Sequence, residues 1–392
     1  MSVTITPSPL HYGEIIQMEF VLTADQKKKK DEFRRFAEEE LDTGDHYPSE
    51  NLRKSAERGY MGLPVPKEWG GGGEDFLTYI LFVEEASRIC SSTGAIIAVH
   101  TSVGSFPLLY YGTDEQKERY LTGLARGKLL GAFALTEAGA GSDAAALSTT
   151  ATASGGGYII NGCKLFITSG GEADLYTVFA TLDRTLGTRG ICAFLVEKGM
   201  DGLTAGKPER KMGLNRSHTA EIRLEDLFIP MSNRLGKEGE GFTIAMSLLD
   251  GGRIGIAAQG LGLAQAAVDY TVKFLKEEEA AGNKTSQSAA FTLAELAASL
   301  EAARLLVYRA SVMKDSGERC SKEASMAKMY ATDLAVEAAT RCLDLCGING
   351  TRRDNPLTRY FCDAKATQIY EGSNQIQRIV IAREILKQAR KL

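Results

Sequence analysis

The stretch Gln368-Ile-Tyr-Glu-Gly-Ser-Asn-Gln-Ile-Gln-Arg378 holds one carboxylate, Glu371, between an aromatic residue and a glycine. A carboxylate among apolar neighbours can remove a weakly acidic proton once water is excluded. Gly372 lets a ligand approach the backbone closely at that point. The structural alternative is a dipole partner for a helix capped by Ser373 or Asn374.

Three further stretches could serve such a base. Phe133-Ala-Leu-Thr-Glu-Ala-Gly-Ala-Gly-Ser-Asp-Ala144 reads as a strand running into a loop of small residues. There, backbone N–H groups and the hydroxyls of Thr136 and Ser142 could meet a phosphate or a flat ring. Lys164-Leu-Phe-Ile-Thr-Ser-Gly-Gly171 offers an aromatic at 166 and a hydroxyl at 168 that could flank a planar ring. Leu249-Asp-Gly-Gly-Arg253 allows an Asp250–Arg253 pair three residues apart on a helix. Read singly, these are a turn, a half-buried strand and a structural ion pair.

The elements that must position them fall into three zones. Residues 1–130 read as an N-terminal helical domain, with FLTYILFVEEASRI at helical spacing and breaks at Pro64-Val-Pro66 and Trp69-Gly-Gly-Gly-Gly73. Thr23 to Gln26 reads as a capping box, and the following lysine run as the solvated face of the first helix. Residues 131–240 carry short β-rich runs separated by Gly, Asp and Ser turns, a small β-barrel or sandwich. Residues 241–392 return to helical spacing in four long segments, a four-helix bundle. The class is α+β.

Bulk properties narrow the functions. The chain has 392 residues, 44% of them hydrophobic, enough for a large core in two or three subdomains. A net charge of −4 gives no electrostatic footprint for nucleic acid or an anionic membrane. The seven cysteines are odd in number and lie in apolar stretches, which suits a reduced, cytoplasmic setting. Cys342 and Cys346 read as core residues, and neither a metal constellation nor a Ser/His/Asp set is visible. The opening MSVTITPSPLHYG reads as neither a signal nor a transit peptide. No strand–GxGxxG–helix unit with a downstream acid is present, so a Rossmann site is not expected.

Together, LTEAGAGSDA, KLFITSGG, LDGGRIGIAAQ and QIYEGSNQIQR, in this order and layout, resemble the acyl-CoA dehydrogenase family from about Phe20 onward. The texture is most similar to its short-chain, butyryl-CoA-type branch. The resemblance implies FAD as cofactor, an acyl-CoA thioester as substrate and electron-transfer flavoprotein as electron acceptor. It implies Glu371 as the α-proton base, and a carbonyl oxygen held by the Glu371 N–H and a flavin hydroxyl. Phe133, Leu135, Thr136, Ser142, Phe166, Ile167, Thr168, Ser373, Asn374 and Gln375 would line the FAD. Ser142, Asp250, Arg253 and Gly372 would touch the substrate or its pocket wall.

Two positions refine this. In isovaleryl-type members the base precedes the arginine matching Arg253, and here that residue is Gly252. Glutaryl-type members carry an arginine where this chain has Gly94. Ala98, Ser102, Gly104, Gly251 and Gly252 hint at room for a bulkier or branched acyl group.

The sequence departs from the family where one subunit lends groups to its neighbour's FAD adenylate. An Arg-x-x-Phe-Gly motif is here Glu278-Glu-Ala-Ala-Gly282, and Gln-x-x-Gly-Gly is Asp344-Leu-Cys-Gly-Ile348. Glu278 and Asp344 put acids near a pyrophosphate, while Ala281 and Ile348 replace a phenylalanine and a glycine. The resemblance therefore leaves open a homotetramer with altered FAD binding or an α2β2 assembly with a paralogous subunit. Flavin-independent lyase or hydratase chemistry on an acyl-CoA stands as the alternative.

Overall fold

A computed structural model describes residues 22–389. The opening segment discussed above lies outside the described residues. The chain starts with α1 (Ala24–Glu40), whose Thr23 and Gln26 close the expected capping box. Lys27 and Lys28 are exposed, but Lys30 is buried. It shares the inner stripe with Phe33 and Ala37, and its ammonium meets Glu84 Oε1 at 2.8 Å and the Tyr308 hydroxyl at 2.7 Å. The lysine run is thus only partly a solvated face, because the buried Glu84 carboxylate claims one of its charges.

Helices α2 (Ser49–Glu57), α3 (Phe76–Ile89), α4 (Ser91–Val99), α5 (Phe106–Tyr111), α6 (Asp114–Gln116) and α7 (Thr122–Ala125) complete the first zone. A π-helical turn, His100–Ser105, joins α4 to α5. The joined helix Ser91–Tyr111 is long and apolar enough to cross a membrane by composition, but 94% of its apolar 18-residue window is buried inside the protein, as in a core helix. α3 is buried almost all round, its Glu84 and Glu85 included, because neighbours cover it on every side.

Eight strands follow: β1 (Gly131–Ala134), β2 (Thr150–Ser154), β3 (Gly157–Thr168), β4 (Leu175–Thr181), β5 (Ile191–Glu197), β6 (Leu203–Ala205), β7 (Thr219–Pro230) and β8 (Arg234–Leu235). They form one sheet in the order β6-β7-β3-β2-β4-β5-β8, with β1 parallel to β4. The hydrogen-bonded path ends at β6 and β8, so it is an open sheet and not a closed barrel. β4 is buried on both faces. Leu175 and Phe179 join the large core shared with the helices, whereas Tyr176, Val178 and Ala180 join the sheet's own core. Strand alternation thus serves two cores at once, and the strand reads as a continuous apolar run.

The last zone is α8 (Gly241–Ala280), α9 (Gln287–Asp315), α10 (Ser321–Cys346), α11 (Pro356–Thr367) and α12 (Asn374–Ala389). The expectation of four helices is corrected to five among the described residues. Asn355 caps α11, its side-chain oxygen accepting from Leu357 N–H at 2.9 Å, and Pro356 takes the first helical position. α10 packs against the other four. Cys342 and Cys346 are core residues in it.

Candidate active site

Glu371 lies in the short loop between α11 and α12. Its φ is +54° and that of Gly372 is +84°, two successive left-handed residues. For a glutamate this conformation is uphill by about 1 kcal/mol or more and persists only where the surroundings enforce it. Ser373 caps α12, its hydroxyl accepting from Ile376 N–H at 3.4 Å.

The loop sends the carboxylate toward α8. A Cβ built on Gly252 would stand 2.7 Å from Glu371 Oε2, so the glycine makes the space that this oxygen uses. Oε2 is buried and has no hydrogen-bond partner among the described residues. Burial pushes the Glu371 carboxyl up to about 7, although Arg253 and Lys328 pull it down. Arg253 donates to Asp250 Oδ1 at 2.9 Å, and Ser321 donates to Asp250 Oδ2 at 2.5 Å. Asp250 and Arg253 therefore form the expected ion pair, and the pair stands one residue from the carboxylate's landing point. Among the described residues the Glu371 N–H finds no backbone carbonyl.

The two strand motifs come together elsewhere. Leu165 N–H donates to Thr136 O at 2.8 Å, tying the end of β1 to β3. Glu137 is the buried hub of this junction. It accepts from Lys164 Nζ at 2.7 Å, from Ser148 N–H at 2.6 Å and from Thr149 N–H at 3.0 Å. Burial would raise the Glu137 carboxyl, yet the Lys164 charge and these donors hold it at about 2. Burial lowers Lys164 to about 8. Neither residue was singled out from sequence for this role.

On that frame Phe166 takes φ +55° and leaves its ring 62% exposed. Thr136 and Thr168 are half-buried, Phe133 packs its ring 4.9 Å from that of Phe179, and Ser142 is exposed. The Ile167 side chain points into the sheet's core. Leu135 likewise packs into the large core. Asn374 is also turned inward. Its side chain accepts from Lys328 Nζ at 2.8 Å and donates to Asp333 Oδ1 at 2.7 Å and Thr332 Oγ1 at 2.9 Å. These three can offer a cofactor only backbone groups. Ser373 is half-buried and Gln375 exposed.

The α4–α5 helix links the two halves. A Cβ on Gly104 would lie 2.9 Å from the Gly131 backbone, and Gly131 N–H donates to His100 Nδ1 at 3.0 Å. Gly104 is thus a close-packing residue against β1 and not pocket space. On the other side Ala98 meets Gly255 of α8, and Gln259 Nε2 donates to Ser91 Oγ at 2.9 Å. The Tyr370 hydroxyl donates to Gln259 Oε1, which anchors the residue before Glu371. A Cβ on Gly94 would stand 1.9 Å from Ser87 Oγ, so even a methyl group there requires the Ser87 side chain to move.

Comparison with known proteins fits this geometry. Residues 23–128, 132–227 and 239–386 match the N-terminal, middle and C-terminal domains of acyl-CoA dehydrogenases. The chain belongs to the acyl-CoA dehydrogenase family. It is 43% identical over 379 residues to the short-chain specific acyl-CoA dehydrogenase of Clostridium acetobutylicum, covering 94% of this chain and 100% of that one. The butyryl-CoA dehydrogenase structure from Megasphaera elsdenii superposes with a TM-score of 0.90 at 39% identity, covering 94% and 100%. A chain in the structure described as the electron transferring flavoprotein of Acidaminococcus fermentans gives 0.91 at 45% identity, covering 94% and 100%.

The residues fit the flavin that this family uses. An aromatic ring held out on a left-handed residue, beside two half-buried threonines, is an unfinished surface for a flat partner. Cβ atoms on Gly139 and Gly141 would meet nothing within 4 Å, which leaves their N–H groups open to approach. The positions that depart from the family, Ala281, Asp344 and Ile348, are exposed, Ile348 by 82%. Glu278 is half-buried and accepts from Asn283. Among the described residues no group of three His, Cys, Asp or Glu could hold a metal ion.

Proposed function

We propose that this chain dehydrogenates a short acyl-CoA thioester between its α and β carbons, with Glu371 as the α-proton base. The observation that carries this reading is the Glu371 carboxylate: buried at Oε2, unpartnered, and set on a strained loop facing Gly252. Bound FAD supplies the acceptor for the β-hydride. Phe133, Thr136, Ser142, Phe166 and Thr168 would hold it through side chains. Leu135, Ile167 and the segment Ser373–Gln375 would do so through backbone.

The protein's own part is acid–base and electrostatic. Glu371 Oε2 takes the proton from the carbon next to the thioester carbonyl, the C–H pair passing to that carbon as the enolate forms. The Glu371 N–H would donate to the carbonyl oxygen where that charge gathers. Entry of the acyl chain expels water from the base and keeps its proton affinity high. Arg253, balanced by Asp250, limits that rise. Electrons then leave to electron-transfer flavoprotein, and the free cysteines suit a reducing cytoplasm.

The assembly is a homotetramer or an α2β2 complex with a paralogous subunit. The acids and the exposed Ile348 at the donor positions favour the second, because a carboxylate beside a pyrophosphate is repulsive.

The test is anaerobic titration of the FAD-loaded protein with butyryl-CoA. Bleaching of the flavin absorption supports dehydrogenation. A flavin that stays oxidised with butyryl-CoA, and with longer and branched acyl-CoAs, overturns it.

A further inference from the structure

Resting on the reading of Glu371 as the base, we propose that Lys328 is the positioning residue that holds the Glu371–Gly372 turn in its working shape. Lys328 lies on α10 and is fully buried. Its ammonium donates to Gly372 O at 2.9 Å and to Asn374 Oδ1 at 2.8 Å. It thus spans the left-handed pair from the far side, gripping both the carbonyl after Glu371 and the first residue of α12. Nothing else in the site explains why a lysine should be buried there among Ala324, Ala327 and Ala331 of its own helix.

The grip is doubled from α12. Gln377 Nε2 donates to Gly372 O at 2.8 Å and to Glu371 O at 3.3 Å. Two consecutive carbonyls of the turn are therefore fixed by side chains of two different helices. Without them the turn can relax toward ordinary backbone angles, which swings the Glu371 side chain away from Gly252. A displacement of about 1 Å is enough to lose two orders of magnitude in rate.

The lysine also faces the base electrostatically. The charged and titratable groups around Glu371 are Arg253 from α8, Lys328 from α10 and the neighbouring Tyr370, with Tyr79 from α3. Lys328 in turn faces Asp333 of its own helix. Burial lowers the Lys328 ammonium to about 7 against the pull of Glu371 and Asp333. Charged or neutral, the amine still donates to the turn, so the holding role does not depend on its protonation.

The experiment compares FAD-loaded wild type, Lys328→Met, Lys328→Gln and Glu371→Gln. Flavin reduction by butyryl-CoA is followed from pH 5.5 to 9, alongside binding of an unreactive CoA thioether. Deuterium uptake of the peptide spanning 369–376 is measured in protein stripped of cofactor. Lys328→Met is expected to bind the thioether within about threefold of wild type but to reduce the flavin at least 30-fold more slowly. Its peptide should exchange faster, and the midpoint of its pH profile should move upward, because Glu371 has lost a positive neighbour. Lys328→Gln keeps a donor and not a charge, so it should regain part of the rate but not the midpoint.

Lys328→Met reducing the flavin within threefold of wild type, with an unmoved midpoint, overturns the proposal while Glu371→Gln remains inactive. If Lys328→Met does not fold, the same two readouts on Lys328→Gln decide: wild-type rate and midpoint overturn the proposal. An active Glu371→Gln would instead defeat the reading of the base itself.

Discussion

Glu371 Oε2 stands 2.7 Å from the point where a Cβ on Gly252 would lie. The proposed base is therefore positioned by a side chain that is missing on another helix, as much as by its own loop. A methyl group at 252 must displace the carboxylate, since α8 is fixed by its packing on both sides. Gly252→Ala should cut the rate of flavin reduction by about 10- to 100-fold. Alanine is also the better helix former, so urea denaturation should show no loss beyond about 1 kcal/mol. Stopped-flow reduction and denaturation of the same preparations check both parts.

Burial of Glu371 has a sign in pH. Its folded carboxyl is pushed up to about 7, above the ordinary 4.5. Between those values the folded state holds a proton that the unfolded chain has released. Stability linked to this group is thus full below about pH 4.5 and is lost as pH rises through 7. Glu371→Gln removes the dependence. Relative to the variant, wild type should lose up to about 3 kcal/mol between pH 5 and pH 8. Activity runs the other way, with kcat/KM rising through a midpoint near 7 as the base ionises.

Much of this was legible in the residues, and the misses share a cause. Glu371 could be found because it is the one carboxylate in its motif, and Asp250–Arg253 because three-residue spacing puts both on one helix face. Lys30 and Lys328 were not found as buried groups. A lysine in a charge run or an alanine-rich helix looks solvated until a distant partner appears, Glu84 for one and Gly372 for the other. α11 was missed because only twelve residues carry its pattern, and its start depends on the Asn355 cap. At β3 the backbone departs from regular strand geometry. Phe166 and Ser169 adopt left-handed angles, and the register with β7 shifts between Lys164 and Ile167.

The Glu137–Lys164 pair ties the two strand motifs in a buried setting. Lys164→Met leaves the carboxylate without its cation and should cost about 3–5 kcal/mol of stability. The double variant Glu137→Gln, Lys164→Met should regain part of that loss, since no unpaired charge remains. Urea denaturation of the three proteins measures it.

Phe166 makes the opposite case. Its ring is largely exposed, so Phe166→Ala should leave stability of the cofactor-free protein within about 1 kcal/mol. Loss of a stacking partner is worth about 0.5–1.5 kcal/mol, so FAD should dissociate up to about tenfold more readily. Equilibrium dialysis against FAD separates the two effects.

If Glu371 removes the α-proton, exchange of that proton with solvent reads the step directly. FAD-loaded wild type and Glu371→Gln are incubated anaerobically with butyryl-CoA in deuterium oxide, and the recovered thioester is examined by mass spectrometry. Wild type should place deuterium at the α carbon, and the variant should incorporate it at least a thousandfold more slowly at comparable butyryl-CoA binding. Exchange by Glu371→Gln at the wild-type rate would contradict Glu371 as the base.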